Sequence, residues 1–270
     1  MLRRLTNITD NIAFLIFRSC CPKKRYDPGF ASFSGCQPQL VQFQFLITFM
    51  QMLSDDTRKK LENIVNGLVI EEQADSCTTI RNLLCTSFST SRTVKKDFEG
   101  QSIIKEKQVT FLKGLAEEHQ FWVTSLPEEN QYLTRGGEAR VYLYTDGRSV
   151  IKINDAVYYA TWLEYFNSLV IHNLLFPGTA YEFIGFIMDN TVMELLVKQP
   201  FIKADTTADL ETIRQLLAFN GFENTRRYDY LNKELGIILE DIHDENVLSK
   251  DNILFFIDTV FYTIAPEHDK

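Results

Sequence analysis

Asp241, Asn246 and Asp258 stand in an order that suits phosphate chemistry. An apolar entry at Leu239 leads into Asp241-Ile242-His243-Asp244-Glu245-Asn246; a short apolar run, a turn over 249–252 and a second apolar run ending at Asp258 follow. With this spacing Asp241 can face an attacking hydroxyl, while Asn246 and Asp258 share a magnesium ion whose charge offsets that of a phosphoryl group. An acidic, solvated loop between two hairpin strands would show the same residues without any chemistry.

Two features upstream could serve the same chemistry. Lys152 is flanked by Val150, Ile151 and Ile153. An ammonium in such a strand needs a partner or a ligand, because burying it unpaired is costly, unless the strand lies at a sheet edge with one face in water. Before it, Thr134-Arg135-Gly136-Gly137-Glu138-Ala139-Arg140-Val141 sets two glycines between a first and a second strand-like run. Backbone N–H groups there can approach a phosphate without interference from a Cβ, although a plain hairpin turn would use the same glycines.

The elements that must position these residues can be read from pattern. From residue 131 the chain falls into short β-like runs. Residues 140–145 alternate as a strand, Asp146 and Gly147 make a hairpin turn, and 149–153 alternate again. Residues 155–175 lack Gly and Pro and keep helical apolar spacing until Pro177 and Gly178 stop them. A second hairpin follows, 181–188 and 191–197 around Asp189 and Asn190, and then a helix over 207–219. Earlier, Ser54-Asp55-Asp56 is an N-cap cluster for a helix carrying Leu61, Ile64, Val65 and Leu68 on one face. Residues 86–100 read as a polar, Ser/Thr-rich flexible connection, and a second helical stretch spans 109–119. The expected organisation is a poorly organised segment over 1–54, a helical region over 55–130 and a catalytic domain over 131–270.

Composition narrows the function classes. The 270 residues are 45% hydrophobic with 21 Phe and 11 Tyr, as in a packed globular chain rather than a disordered one. The formal charge of −8 divides into about +1 over residues 1–130 and about −9 over the rest, which argues against a nucleic-acid surface on the acidic half. The five cysteines, Cys20, Cys21, Cys36, Cys77 and Cys85, have no zinc-ligand spacing and are odd in number, against a disulfide framework. The apolar run at 12–17 is too short for a signal peptide and is broken by Arg18, and the stretch 40–53 carries four glutamines, so neither a membrane span nor secretion is expected. A cytoplasmic protein is expected.

At the residues singled out above, the chain resembles the protein-kinase-like superfamily. Gly136 and Gly137 with Val141 look like the glycine-rich loop, Val150-Ile151-Lys152 like the lysine strand, Asp241 to Asn246 like the catalytic loop, and Asp258 like the aspartate of the metal-binding triplet. The chain is most similar to the Ser/Thr/Tyr kinase domain found in polyvalent proteins of phages and conjugative elements, through Gly136-Gly137-Glu138, Gln199-Pro200-Phe201 and Asp241-Ile242-His243-Asp244-Glu245-Asn246, over about residues 105–264. The resemblance implies an α+β, protein-kinase-like two-lobed fold with a reduced C-lobe. It also implies ATP and Mg2+ as cofactors and a protein or small-molecule hydroxyl as acceptor. By the same resemblance Lys152 would bind the α- and β-phosphates with Glu164 as its ion-pair partner, Gln199 to Phe201 would form the hinge against adenine, and Asp241 would orient or deprotonate the acceptor. Asn246 and Asp258 would hold the metal, and His243 would support the loop.

The sequence also departs from the family pattern. Leu239 and Glu240 replace the His-Arg before the catalytic Asp, Asp258-Thr259-Val260 replaces Asp-Phe-Gly, and Thr134 and Ala139 stand where loop glycines are common. Only 12 residues follow Asp258, so the activation segment and the helices that bind peptide substrates are expected to be missing. The function expected is ATP-dependent phosphoryl transfer. The alternatives are a pseudokinase that binds nucleotide or a partner without chemistry, and a purely structural module of a mobile element.

Overall fold

Ser54 begins the described chain much as its side-chain chemistry dictates. Its hydroxyl accepts from the Thr57 N–H at 3.1 Å and caps helix α1 (Asp55–Val65), whose Leu61 and Ile64 are buried; Gly67, at φ 65°, ends it. The computed structural model describes residues 53–72, 75–88, 98–137, 139–251 and 253–264, all within one unit, Leu46–Lys270. Cys20, Cys21, Cys36, the apolar run at 12–17, nearly all of 40–53, residues 89–97 of the polar connection, Glu138, Asn252 and the residues after 264 lie outside the described ones.

Two further helices precede the sheets. Helix α2 (Ser76–Phe88) takes in a stretch with no clean apolar stripe, because its buried face includes Thr78 and Arg81. Arg81 is fully buried, donating from Nε to Asn167 Oδ1 at 2.8 Å and from its guanidinium to the Leu68 carbonyl. Helix α3 (Phe98–Glu118) starts well before residue 109. Its earlier turns use polar side chains as contacts: Lys105 Nζ donates to the carbonyls of Ala156 and Tyr159 at 2.6 and 2.9 Å, and Gln108 Oε1 accepts from the Leu163 N–H at 3.2 Å. Inward-facing Lys and Gln break the hydrophobic periodicity by which a helix is recognised.

The main sheet is antiparallel, in the order β1 (Tyr132–Arg135), β2 (Arg140–Leu143), β3 (Ser149–Asn154), β5 (Val192–Pro200), β4 (Glu182–Asp189). Asp146 fixes the β2–β3 turn by accepting from the N–H groups of Arg148 and Ser149 at 2.7 and 2.8 Å, with Gly147 at φ 62°. Helix α4 (Trp162–Leu175) links β3 to β4 but begins seven residues later than the apolar spacing suggests. Asn154 Oδ1 takes the Ala156 N–H at 2.6 Å with Ala156 at φ 57°, which turns the chain before Thr161 caps the helix by accepting from Glu164 N–H at 3.1 Å. At Gly185 a Cβ would overlap the Phe121 carbonyl and lie 2.8 Å from a Val123 methyl, so glycine is what lets residues 121–123 close on β4.

Beyond helix α5 (Leu210–Phe219), capped by Asp209, come two small sheets. One pairs β11 (Ile253–Phe256), β10 (Val247–Lys250) and β6 (Thr206–Thr207); the other orders β12 (Val260–Thr263), β9 (Ile237–Glu240), β8 (Asp229–Asn232) and β7 (Glu223–Arg226). The β7–β8 hairpin has no counterpart in the sequence reading. A single hydrophobic cluster runs from Leu61, Ile80 and Leu112 through Phe166 and Leu195 to Leu239 and Phe261, so α1, α2 and α3 share one core with the strands after 131. The outcome is an α+β fold, as expected. Among the described residues no helix is long and apolar enough to cross a membrane.

Candidate active site

Lys152 lies on β3, the middle strand of five, so the edge-strand explanation for its charge does not hold. Val141 and Val197 stand opposite it on β2 and β5 and share its face of the sheet. Only 7% exposed, it donates from Nζ to the Ile257 carbonyl at 2.6 Å and lies 3.4 Å from Asp258 Oδ1, with the Tyr181 ring 5.6 Å away. The buried ammonium thus has a hydrogen bond and a counter-ion, which its burial requires. Asp258 is the partner in that ion pair; the Glu164 carboxylate instead accepts from the Ala160 N–H at 2.8 Å, beside the α4 cap. The helix side chains that border Lys152 are Tyr165, Ser168 and Leu169.

Asn246 belongs to the same constellation, since its carbonyl accepts from the Ile257 N–H at 3.0 Å, one residue before Asp258. The bend from β9 into β10 is built around Asp241, which adopts φ 63°, a left-handed conformation that Asp tolerates better than most residues. Asn246 Nδ2 donates to the Asp241 carbonyl at 2.9 Å and to Asp241 Oδ2 at 3.1 Å. The amide nitrogen is therefore committed to Asp241, and the other end, the amide oxygen, is the hard donor that magnesium takes. His243 Nδ1 accepts from the Glu245 N–H at 3.2 Å, and its Nε2 lies 3.5 Å from Asp241 Oδ1 and 3.1 Å from Asn246 Nδ2, so the ring packs against both side chains of the bend. Asp241, with 61% of its side chain exposed, faces solvent for an incoming group, while Lys152 is shut in. The site thus has an ammonium and a carboxylate in contact, an amide oxygen on the neighbouring turn, and a second, open carboxylate. That donor set fits a magnesium–triphosphate.

In the glycine loop, the Gly136 N–H donates to the Ala139 carbonyl at 2.9 Å. Gly136 and Gly137 are not in the left-handed region, and a Cβ at Gly136 would meet nothing within 4 Å, so the packing of the described residues gives no reason for glycine there. The residues expected at the hinge lie at the end of β5. Gln199 is 1% exposed, and its side chain turns inward to donate to the Thr179 carbonyl at 2.7 Å; the Phe201 N–H is taken by the Arg148 carbonyl at 2.8 Å, while its ring is exposed.

That inward turn reveals a support the motifs did not indicate. Thr179, in the short helical turn Pro177–Thr179, also accepts at its carbonyl from His172 Nε2 at 2.9 Å and donates from its hydroxyl to the Phe256 carbonyl at 2.6 Å. A carbonyl only accepts, so His172 carries its proton on Nε2, and Nδ1 accepts from the Thr259 hydroxyl at 2.7 Å. Tyr181 completes the set by donating to the Ile257 carbonyl at 3.0 Å. Helix α4, β5 and the 256–259 turn are thereby tied together beneath Asp258. Only the unusual run of polar residues within an apolar helix and hairpin hinted at this.

Burial pushes the fully buried His172 down to about 3, with the nearby Lys152 charge adding to the effect against the Thr179 hydrogen bond. Its unfolded value is about 6.5, so between pH 6.5 and 3 the unfolded chain holds a proton that the folded one does not. Stability from this group is therefore present above pH 6.5 and is lost as pH falls, by up to about 1.4 kcal/mol per pH unit. Urea unfolding at pH 7, 6, 5 and 4 should show that dependence, and His172→Gln, which keeps a donor to Thr179 but does not titrate, should lose one proton's worth of slope. Equal slopes in both proteins would contradict the buried neutral imidazole.

A family model described as a serine/threonine/tyrosine kinase found in polyvalent proteins matches residues 105–265, well over half of the chain. No curated protein and no solved structure matches.

Proposed function

As the chain belongs to the family of serine/threonine/tyrosine kinases found in polyvalent proteins, we propose that it moves the γ-phosphoryl group of ATP to a hydroxyl of a protein or small molecule. The observation that carries this reading is the Lys152–Asp258 pair, buried on the lysine side and joined to Asn246 through Ile257. Lys152 would bind the α- and β-phosphates; of the two loop glycines, Gly136 already donates its N–H to the Ala139 carbonyl at 2.9 Å, which leaves Gly137 as the candidate for phosphate contact. Asn246 and Asp258 would hold magnesium, which would neutralise charge on the phosphoryl oxygens. Asp241 orients the acceptor O–H and takes its proton as the oxygen–phosphorus bond forms and the bond to the ADP oxygen breaks. Glu164 keeps its hydrogen bond from the Ala160 N–H, and the hinge role of Gln199 to Phe201 falls to backbone groups other than the Phe201 N–H. Cytoplasmic placement accords with the supply of ATP there and with the free thiols Cys77 and Cys85.

A second reading, binding of nucleotide or a partner without transfer, draws support from one feature. The cavity beside Lys152 measures about 20 Å³, whereas ligand sites run to about 300 Å³ or more. Thermal unfolding with ATP and magnesium tests both readings, because a ligand selecting the folded state adds about 2.7 kcal/mol at a hundredfold excess over Kd. A magnesium-dependent rise in Tm with transfer of γ-labelled phosphate is expected. A rise without transfer leaves the second reading, and no rise at millimolar ligand removes both.

A further inference from the structure

We propose that the β7–β8 turn is an acceptor-binding element that selects hydroxyls next to acidic residues in a peptide; this rests on the phosphotransferase reading above. Arg226, Arg227, Tyr228 and Asp229 line an open cleft of about 290 Å³ together with Asp241. None of Lys152, Asn246 and Asp258 lines it, so Asp241 is the one member of the candidate site that opens on this cleft.

The turn is fastened to the catalytic bend. The Tyr228 carbonyl accepts from Ile242 N–H at 3.0 Å, Asp229 Oδ1 accepts from Asp241 N–H at 3.3 Å, and the rings of Tyr228 and His243 meet edge to face at 5.7 Å. Asn224 Nδ2 donates to the carbonyls of Arg227 and Asp229, both at 3.1 Å, and fixes the turn, with Arg227 at φ 40°. Two adjacent arginines are thus held at a fixed offset from the carboxylate that would receive the acceptor proton.

Both guanidinium groups are exposed, and neither forms an ion pair among the described residues, although residues 131–270 carry an excess of about nine negative charges. In so acidic a surrounding, arginines left without a carboxylate are available for one from outside. Their planar forks suit the carboxylates of Asp and Glu, and phosphates likewise. Asp229 and Asp241 line the same cleft and would repel an anionic peptide, an effect that the two guanidinium charges beside them offset.

The test uses the full chain, γ-labelled ATP and two peptide pools, Ser/Thr/Tyr flanked by Asp and Glu or the same flanked by Asn and Gln. The wild type should favour the acidic pool in kcat/KM on the order of tenfold, the scale of two exposed charge pairs, and the preference should fall with added salt. In Arg226→Gln/Arg227→Asn, where Asn accepts the left-handed backbone, the ratio should approach one. Arg226→Lys/Arg227→Lys should restore part of the preference, which guards against damage to the turn. A wild type with no preference, or a variant that loses the same factor on both pools, overturns the proposal. Fluorescence anisotropy of labelled peptides separates the two readings: acidic-pool binding that depends on the arginines, without any transfer, sinks the phosphotransferase reading and keeps the anion site. Transfer without acidic preference does the reverse.

Discussion

Asp241→Asn is expected to cut phosphoryl transfer by a factor on the order of 10² or more, the usual scale for a lost acid–base group, while affinity for ATP with magnesium and Tm stay near wild type. The substitution is close to isosteric, Asn tolerates the left-handed backbone found at φ 63°, and its carbonyl can still accept from Asn246 Nδ2. What it loses is the negative charge, and with it the ability to take a proton. Transfer of γ-labelled phosphate, with nucleotide affinity measured alongside, checks this. An Asp241→Asn protein as active as wild type would remove Asp241 from the reaction. A variant that also lost ATP binding would place Asp241 on the nucleotide side.

Lys152→Met and Asp258→Asn should behave differently, losing nucleotide binding as well as turnover. A charged hydrogen bond to phosphate contributes about 1.5–3 kcal/mol, so each change should weaken ATP binding on the order of 10- to 100-fold. The fold should survive Lys152→Met, because Met fills a similar volume and the Ile257 carbonyl that Lys152 served still receives the Tyr181 hydroxyl. For Asp258→Asn, the affinity that remains should no longer depend on magnesium. Titration calorimetry with and without magnesium measures both. Unchanged binding in the Lys152→Met protein would mean that the phosphates sit elsewhere.

The parts of this molecule that were legible in sequence are those whose local chemistry determines them. The Asp146–Gly147 turn, the Ser54 cap and the strand over 149–153 depend on residues close in sequence, and they appear where expected, although β3 is buried on both faces rather than alternating. Asp241, Asn246 and Asp258 were legible because a hairpin of fixed length relates them. What was missed depends on distant partners. Arg81, Lys105 and Gln108 are helix-face polar residues satisfied across the core, so α2 and most of α3 show little apolar stripe. The β7–β8 hairpin, with its exposed Glu223-Asn224-Thr225-Arg226 strand, lacks the apolar alternation that signals one. Spacing alone could not show that Asp258 is the ion-pair partner of Lys152 or that the Glu164 carboxylate accepts from the Ala160 N–H. At Gln199 the hinge-like tripeptide was visible, but the inward turn of the side chain toward Thr179 was not.

The closure of residues 121–123 on β4 bears on where this protein can be cut. Strand β4 is the outer strand of its sheet, and the N–H of Phe186 donates to the Phe121 carbonyl while its own carbonyl takes the Val123 N–H, both at 2.8 Å. The short strap thus caps a strand edge, and Phe121 packs edge to face on Phe183 at 5.0 Å. A fragment starting at 131, where the β-like texture begins, would strip off that cap. It would leave the Phe186 amide and carbonyl open beside uncovered aromatic rings, and an open apolar edge is a template for pairing with another copy. A recombinant piece meant to stay monomeric at high concentration should therefore start ahead of α3, so that the strap enters with the helix that delivers it.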